Sequence, residues 1–176
     1  MPGGEDQRQH LELARDLAIR MNNKFESELF VVPEDWNAQL AFAERTRGVR
    51  IRSLRNPEKK MSKSIDDPAG TVLLSDDPAA AAKKIMSATT DSVGAIHFNF
   101  DTQPGISNLL TIGALLSGQS VEAYAQTWEG NERYGDLKKA VAEQVEQFLN
   151  NLQTTYAATA ENDILQKLAR DESAMR

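Results

Sequence analysis

Leu137, Val141, Val145, Phe148 and Leu152 recur at steps of four, four, three and four. An α-helix turns that spacing into one continuous apolar face, and a strand cannot. The C-terminal part of the chain is therefore committed to helix packing. Other stretches agree. Asp76-Asp77-Pro78 supplies an acidic N-cap and a proline at the first helical position, with alanines behind, and predicts a helix to about Met86-Ser87. Lys83 and Lys84 near its end suit the helix dipole. Gln103-Pro104-Gly105 opens another helix, Val121 to Trp128 a short one, and Glu161 to Arg170 a last one with Ile164, Leu165 and Leu168 on one side. Near the start, Leu11, Ala14, Leu17, Ala18 and Met21 define one more apolar face, and Glu34 to Ala43 is a looser helical stretch. Extended pieces are short: Leu29 to Pro33, stopped by the proline, and Thr71 to Leu74, a strand or a turn.

Charge is unevenly placed. Between Arg45 and Ser64 stand Arg45, Arg47, Arg50, Arg52, Arg55, Lys59, Lys60 and Lys63, opposed only by Glu58. That stretch carries +7 in a chain of net charge −6, so the remainder sums to −13. Arg55-Asn56-Pro57 marks a turn, because a residue before proline is pushed out of helical geometry. Behind it comes Lys60-Met61-Ser62-Lys63-Ser64, two lysines three apart with a hydroxyl residue near each. A lysine-rich loop is ordinarily a solvated surface. The same residue types also suit a polyphosphate, since ammonium groups offset its charge while hydroxyls and backbone N–H groups bond its oxygens.

The 176 residues, 40% hydrophobic and 26% charged, suffice for one domain with a core, or a domain and an appendage. The absence of cysteine excludes disulfides, thiolate metal sites and a thiol nucleophile, and two histidines exclude a multi-histidine metal centre. No apolar run approaches the roughly 20 residues that span a bilayer, and no secretory signal opens the chain, so a cytoplasmic location is expected. The acidic balance argues against indiscriminate nucleic-acid binding but allows a local basic patch to engage RNA.

The spelling of the lysine loop resembles the KMSKS loop of class I aminoacyl-tRNA synthetases. Gly4-Glu5-Asp6-Gln7, followed by His10, Glu12, Leu13, Arg15 and Asp16, resembles the GEDQ segment of bacterial tryptophanyl-tRNA synthetases. Arg50 to Leu54 is similar to that family's RIMSL stretch, with Arg52 where methionine is usual. Thr89 to Ser92, Pro104 to Leu110 with the later Leu116-Ser117-Gly118, and Tyr134 to Leu137 resemble its AVTDS, PGISNLL…LSG and GYGxFK pieces. Tyrosyl-tRNA synthetases share the Gly-x-Asp-Gln element and a related lysine loop but lack the Pro-Gly-Ile-Ser-Asn-Leu-Leu segment.

The resemblance implies an α/β, mostly helical fold. Residues 1–66 would be the C-terminal part of a class I Rossmann-type catalytic domain, with a short parallel-sheet remnant near residues 1–55. Residues 67–176 would be an α-helical, anticodon-binding tRNA-binding domain. The implied activity is tryptophan–tRNA ligation, with ATP as substrate, Mg²⁺ accompanying ATP, and tRNA(Trp) and L-tryptophan as partners. The full-length enzyme would be a homodimer away from membranes. Lys60 and Lys63 would act catalytically on the leaving pyrophosphate. Gly4, Glu5, Asp6, Ile51, Met61, Ser62 and Ser64 would join them around ATP, with Asp6 on the ribose, and Gln7 would face tryptophan. No metal ligand is implied. The family's HIGH-type motif is not found in these 176 residues, so the chain is expected to be inactive alone. The alternative is a non-catalytic tRNA- or partner-binding helical module descended from a synthetase.

Overall fold

A computed structural model describes residues 7–42, 50–64 and 66–175. The chain forms two compact units, 1–50 and 51–176, so the lysine loop belongs to the second.

In the first unit, α1 spans Arg8–Phe25. It ends on Glu26, which adopts a left-handed conformation (φ 47°) and returns its N–H to the carbonyls of Asn22 and Asn23. The Asn22 carboxamide then grips Phe30, accepting its N–H at 3.0 Å and donating to its carbonyl at 2.8 Å. Arg15 donates to the Pro33 carbonyl. Ala18 is buried and Leu11 half-buried, whereas Leu17 and Met21 stay exposed. The helix α2 (Trp36–Phe42) starts where Asp35 accepts the Ala38 N–H.

The second unit is built from α3 (Pro78–Met86), α4 (Pro104–Leu116), α5 (Val121–Trp128), α6 (Tyr134–Ala158) and α7 (Glu161–Met175). Helix α4 is apolar on nearly every side and runs through the core, with Ile106, Leu109, Leu110 and Ala114 fully buried. Helix α6 packs on α3 and α4, and α5 packs on α4. Burial along α6 follows Leu137, Val141, Val145 and Leu149, while Phe148 is exposed and Leu152 half-buried. The expected stripe thus shifts at its end onto the i, i+4 ridge, the row that fits a neighbouring helix's groove. Helix α3 begins as its sequence requires: Asp77 accepts the Ala80 N–H at 2.8 Å and Pro78 follows.

The structure is mostly helical, and among the described residues it contains no β-strand beyond one isolated bridge. The parallel-sheet remnant expected near residues 1–55 is therefore not formed among them. Leu29 to Pro33 is irregular and gains no ladder partner there, which a strand needs for its N–H and C=O groups. Thr71 to Leu74 resolves as coil and turn.

Candidate functional site

The basic segment folds back on itself as a small hairpin. Ser53 donates its N–H to the Lys59 carbonyl at 2.9 Å, and Met61 donates to the Ile51 carbonyl at 3.1 Å, giving an antiparallel bridge between Arg52 and Lys60. Lys59 N–H closes the turn onto the Asn56 carbonyl. The Ser53 hydroxyl fills the inside of that turn: it accepts the N–H groups of Arg55 and Asn56 at 3.2 and 3.1 Å and donates to Asp67 at 2.8 Å. Asp67 in turn accepts the Gly70 N–H, and the Gly70 carbonyl accepts the Leu54 N–H at 2.9 Å. A Cβ on Gly70 would lie 1.9 Å from the Asp67 carboxylate and 2.3 Å from the Ser53 hydroxyl. Only glycine lets these three residues interlock.

The lysines issue from this knot. Lys59, Lys60 and Ser62 line a small cleft with Ser53, Asn56, Asp67 and Thr71. Met61 packs against the hydrophobic core, so the loop has one apolar foot. Beyond it Lys63 and Ser64 are exposed, and the hydroxyls of Ser62 and Ser64 sit 2.8 Å apart. Ammonium groups and hydroxyls over a short span match the donors a phosphate chain takes.

The base of the hairpin rests on the helical core. Thr89 N–H donates to the Leu54 carbonyl at 2.8 Å, and its hydroxyl donates to the Arg55 carbonyl at 2.9 Å. The Arg52 guanidinium lies 4.1 Å from the Phe100 ring centroid and donates to the Pro57 carbonyl. The Asn108 carboxamide, on α4, makes two bonds to the Arg52 backbone. A second polar knot centres on buried Gln103, which donates to Asp91, the Ala95 carbonyl and the Tyr134 hydroxyl, and accepts the His97 N–H.

Comparison with known proteins converges on one family. The profile described as "tRNA synthetases class I (W and Y)" matches residues 1–150. The chain is 46% identical over 168 residues to a tryptophan–tRNA ligase of Caldanaerobacter subterraneus subsp. tengcongensis, covering 96% of this chain and 49% of that protein. The chain belongs to the tryptophanyl-tRNA synthetase family. A tryptophan–tRNA ligase of Mycobacterium leprae is 45% identical over 150 residues, covering 85% of this chain and 41% of its own. The crystal structure of tryptophanyl-tRNA synthetase from Mycoplasma pneumoniae superposes with a TM-score of 0.74 at 34% identity, over 94% of this chain and 48% of that one. The chain thus spans about half the length of the curated relatives it matches.

Of the residues that family resemblance singled out, the structure groups Ile51, Lys60, Met61, Ser62, Lys63 and Ser64 on and around one hairpin. The Ile51 carbonyl is taken by Met61. Gln7 stands in the first unit, in the N-cap position of α1, without a side-chain capping bond. Gly4, Glu5 and Asp6 lie outside the described residues. Sequence reasoning missed Ser53, Asp67, Gly70 and Asn108 as loop supports. Asp66 to Gly70 reads as a turn from sequence, but that local signal does not say what the turn supports. Asn108 lies too far away in sequence for any local signal.

Proposed function

We propose that this chain supplies the lysine-loop half of a tryptophan–tRNA ligase. In the complete enzyme the carboxylate of tryptophan attacks the α-phosphorus of ATP, forming tryptophanyl-adenylate and releasing pyrophosphate. A terminal ribose hydroxyl of tRNA(Trp) then takes the acyl group. The observation that carries this reading is the hairpin itself, in a chain whose relatives are named tryptophan–tRNA ligases. It presents Lys59, Lys60 and Ser62 to one cleft and Lys63 and Ser64 to the surface beside it.

On this reading Lys60 and Lys63 meet charge developing on the β- and γ-phosphates, and Ser62 and Ser64 add hydrogen bonds. The family resemblance further assigns Ile51, Met61, Gly4, Glu5 and Asp6 to ATP, with Asp6 on the ribose, and Gln7 to tryptophan. Among the described residues no group of three or more His, Cys, Asp or Glu is arranged to hold a metal. Mg²⁺ would enter with ATP and would offset the charge of its phosphates. Residues 1–66 serve as the C-terminal part of a Rossmann-type catalytic domain and residues 67–176 as the helical tRNA-binding part. The complete enzyme is a cytoplasmic homodimer. No helix among the described residues is long and apolar enough to cross a membrane.

The test is tryptophan-dependent ATP–pyrophosphate exchange, run on the 176-residue chain alone and on the chain joined to the N-terminal half of a relative. Background exchange alone and Lys63-dependent exchange in the folded hybrid support the reading. A folded hybrid that binds ATP and tryptophan yet never exchanges sinks it.

A further inference from the structure

Asn108 is 1% exposed, inside α4 and among fully buried aliphatic residues. A primary amide buried so deeply must find partners for its carbonyl and its N–H groups. Both are committed to one residue 56 positions earlier. Asn108 Oδ1 accepts the Arg52 N–H at 2.9 Å, and Asn108 Nδ2 donates to the Arg52 carbonyl at 2.9 Å.

That pair of bonds is what the next strand of a sheet would offer. In the hairpin, the bonds to the lysine leg run through Ile51 and Ser53, so the N–H and C=O of Arg52 point to the opposite edge. Asn108 occupies that edge in place of a strand. Arg52 is thereby held between Asn108 on one side and Lys60 on the other. A slip of one residue would turn the wrong backbone groups toward Asn108 and leave a buried donor and acceptor unpaired, which the interior strongly disfavours. The comparable grip of Asn22 on Phe30 is exposed to solvent and lacks this penalty.

We infer that Asn108 is a positioning residue: it fixes the register of the Arg52 leg and, through the Arg52–Lys60 bridge, the place from which the lysine loop meets a phosphate chain. The phosphate part rests on the proposed function; the positioning part does not.

Nuclear magnetic resonance on the isotope-labelled 176-residue chain tests both. In the wild type, scalar couplings across the two hydrogen bonds should link the Arg52 amide to the Asn108 carboxamide carbon, and Asn108 Nδ2 to the Arg52 carbonyl. In Asn108→Leu, of similar volume, the Ser53 and Met61 amides should exchange at least about tenfold faster while Leu110 and Val141 keep their rates. Inorganic pyrophosphate should bind Asn108→Leu about tenfold more weakly, although every lysine remains. Missing couplings, or unchanged exchange at Ser53 and Met61, overturn the inference. If Asn108→Leu loosens the whole core, the wild-type couplings decide. If the wild type fails to bind pyrophosphate, the phosphate reading of the loop falls, and couplings and exchange still settle the role of Asn108.

Discussion

Gly105 and Thr89 meet backbone to backbone: a Cβ on Gly105 would lie 2.2 Å from the Thr89 carbonyl oxygen. Thr89 in turn holds the hairpin base through Leu54. Gly105→Ala must therefore move either α4 or the segment carrying Thr89. Alanine's helix preference returns at most about 1 kcal/mol, while forced overpacking costs about 1–3 kcal/mol or more, so a net loss is expected. Gly70→Ala meets no backbone, only the Asp67 carboxyl group and the Ser53 hydroxyl, which must rotate out of the interlock, and should cost chiefly the Ser53–Asp67 bond, about 1 kcal/mol. Urea denaturation ranks the pair. Gly105→Ala proving the milder of the two would contradict the backbone contact.

Removing the N-cap of α3 isolates a local effect. Asp77→Ala leaves the Ala80 N–H without its side-chain acceptor, and the expected loss is about 1 kcal/mol. Asp77→Ser should recover most of it in the same denaturation assay. An unchanged midpoint in Asp77→Ala would show that the cap contributes nothing.

Acid should weaken the second unit through two carboxylates. Burial alone would raise Asp76, but hydrogen bonds from Lys84 and Leu73 outweigh it and hold the group below its ordinary value. Burial would likewise raise Asp91, and bonds from Gln103, Tyr134 and Val93 again prevail. A carboxyl depressed on folding takes up fewer protons than its unfolded counterpart. Its stabilisation is full above the ordinary carboxylate range, near ~4, and is lost as pH falls through the depressed value. Denaturation midpoints measured from pH 7 downward should hold until about pH 4 and then drop. Asp76→Asn should drop less steeply, and an identical slope would remove Asp76 from the account.

Lys63 is exposed and belongs to no core contact. Lys63→Ala should leave the stability of the chain nearly unchanged. In the hybrid enzyme it should slow adenylate formation by about a hundredfold, the loss typical of one preorganised donor to developing charge. Tryptophan affinity should hardly move, because only interactions that strengthen in the transition state raise that rate. Single-turnover kinetics at saturating ATP and tryptophan separate the two, and an unaltered rate returns the loop to an ordinary solvated surface.

Helices were legible in the sequence because their signals are local. Asp77-Pro78 set the start of α3, and Val121 and Trp128 bound α5 as expected. The lysine loop was legible as a string of residue types. Its support was not, because Ser53 with Asp67, Thr89 with Leu54 and Asn108 with Arg52 are pairings that only the folded chain creates. Leu29 to Pro33 failed as a strand for a related reason: β-branched composition proposes an extended backbone, but hydrogen-bonded neighbours make it a strand.

The bond between Leu54 N–H and the Gly70 carbonyl ties together the two ends of the segment that carries every lysine of the loop. Folding therefore bears the entropy of closing that ring, and a ligand arriving later need not. A ring closed at its base keeps Lys59, Lys60 and Lys63 within a short span of one another. Phosphate would meet a high local concentration of cations held on one closed ring, where an untethered tail would offer each lysine separately.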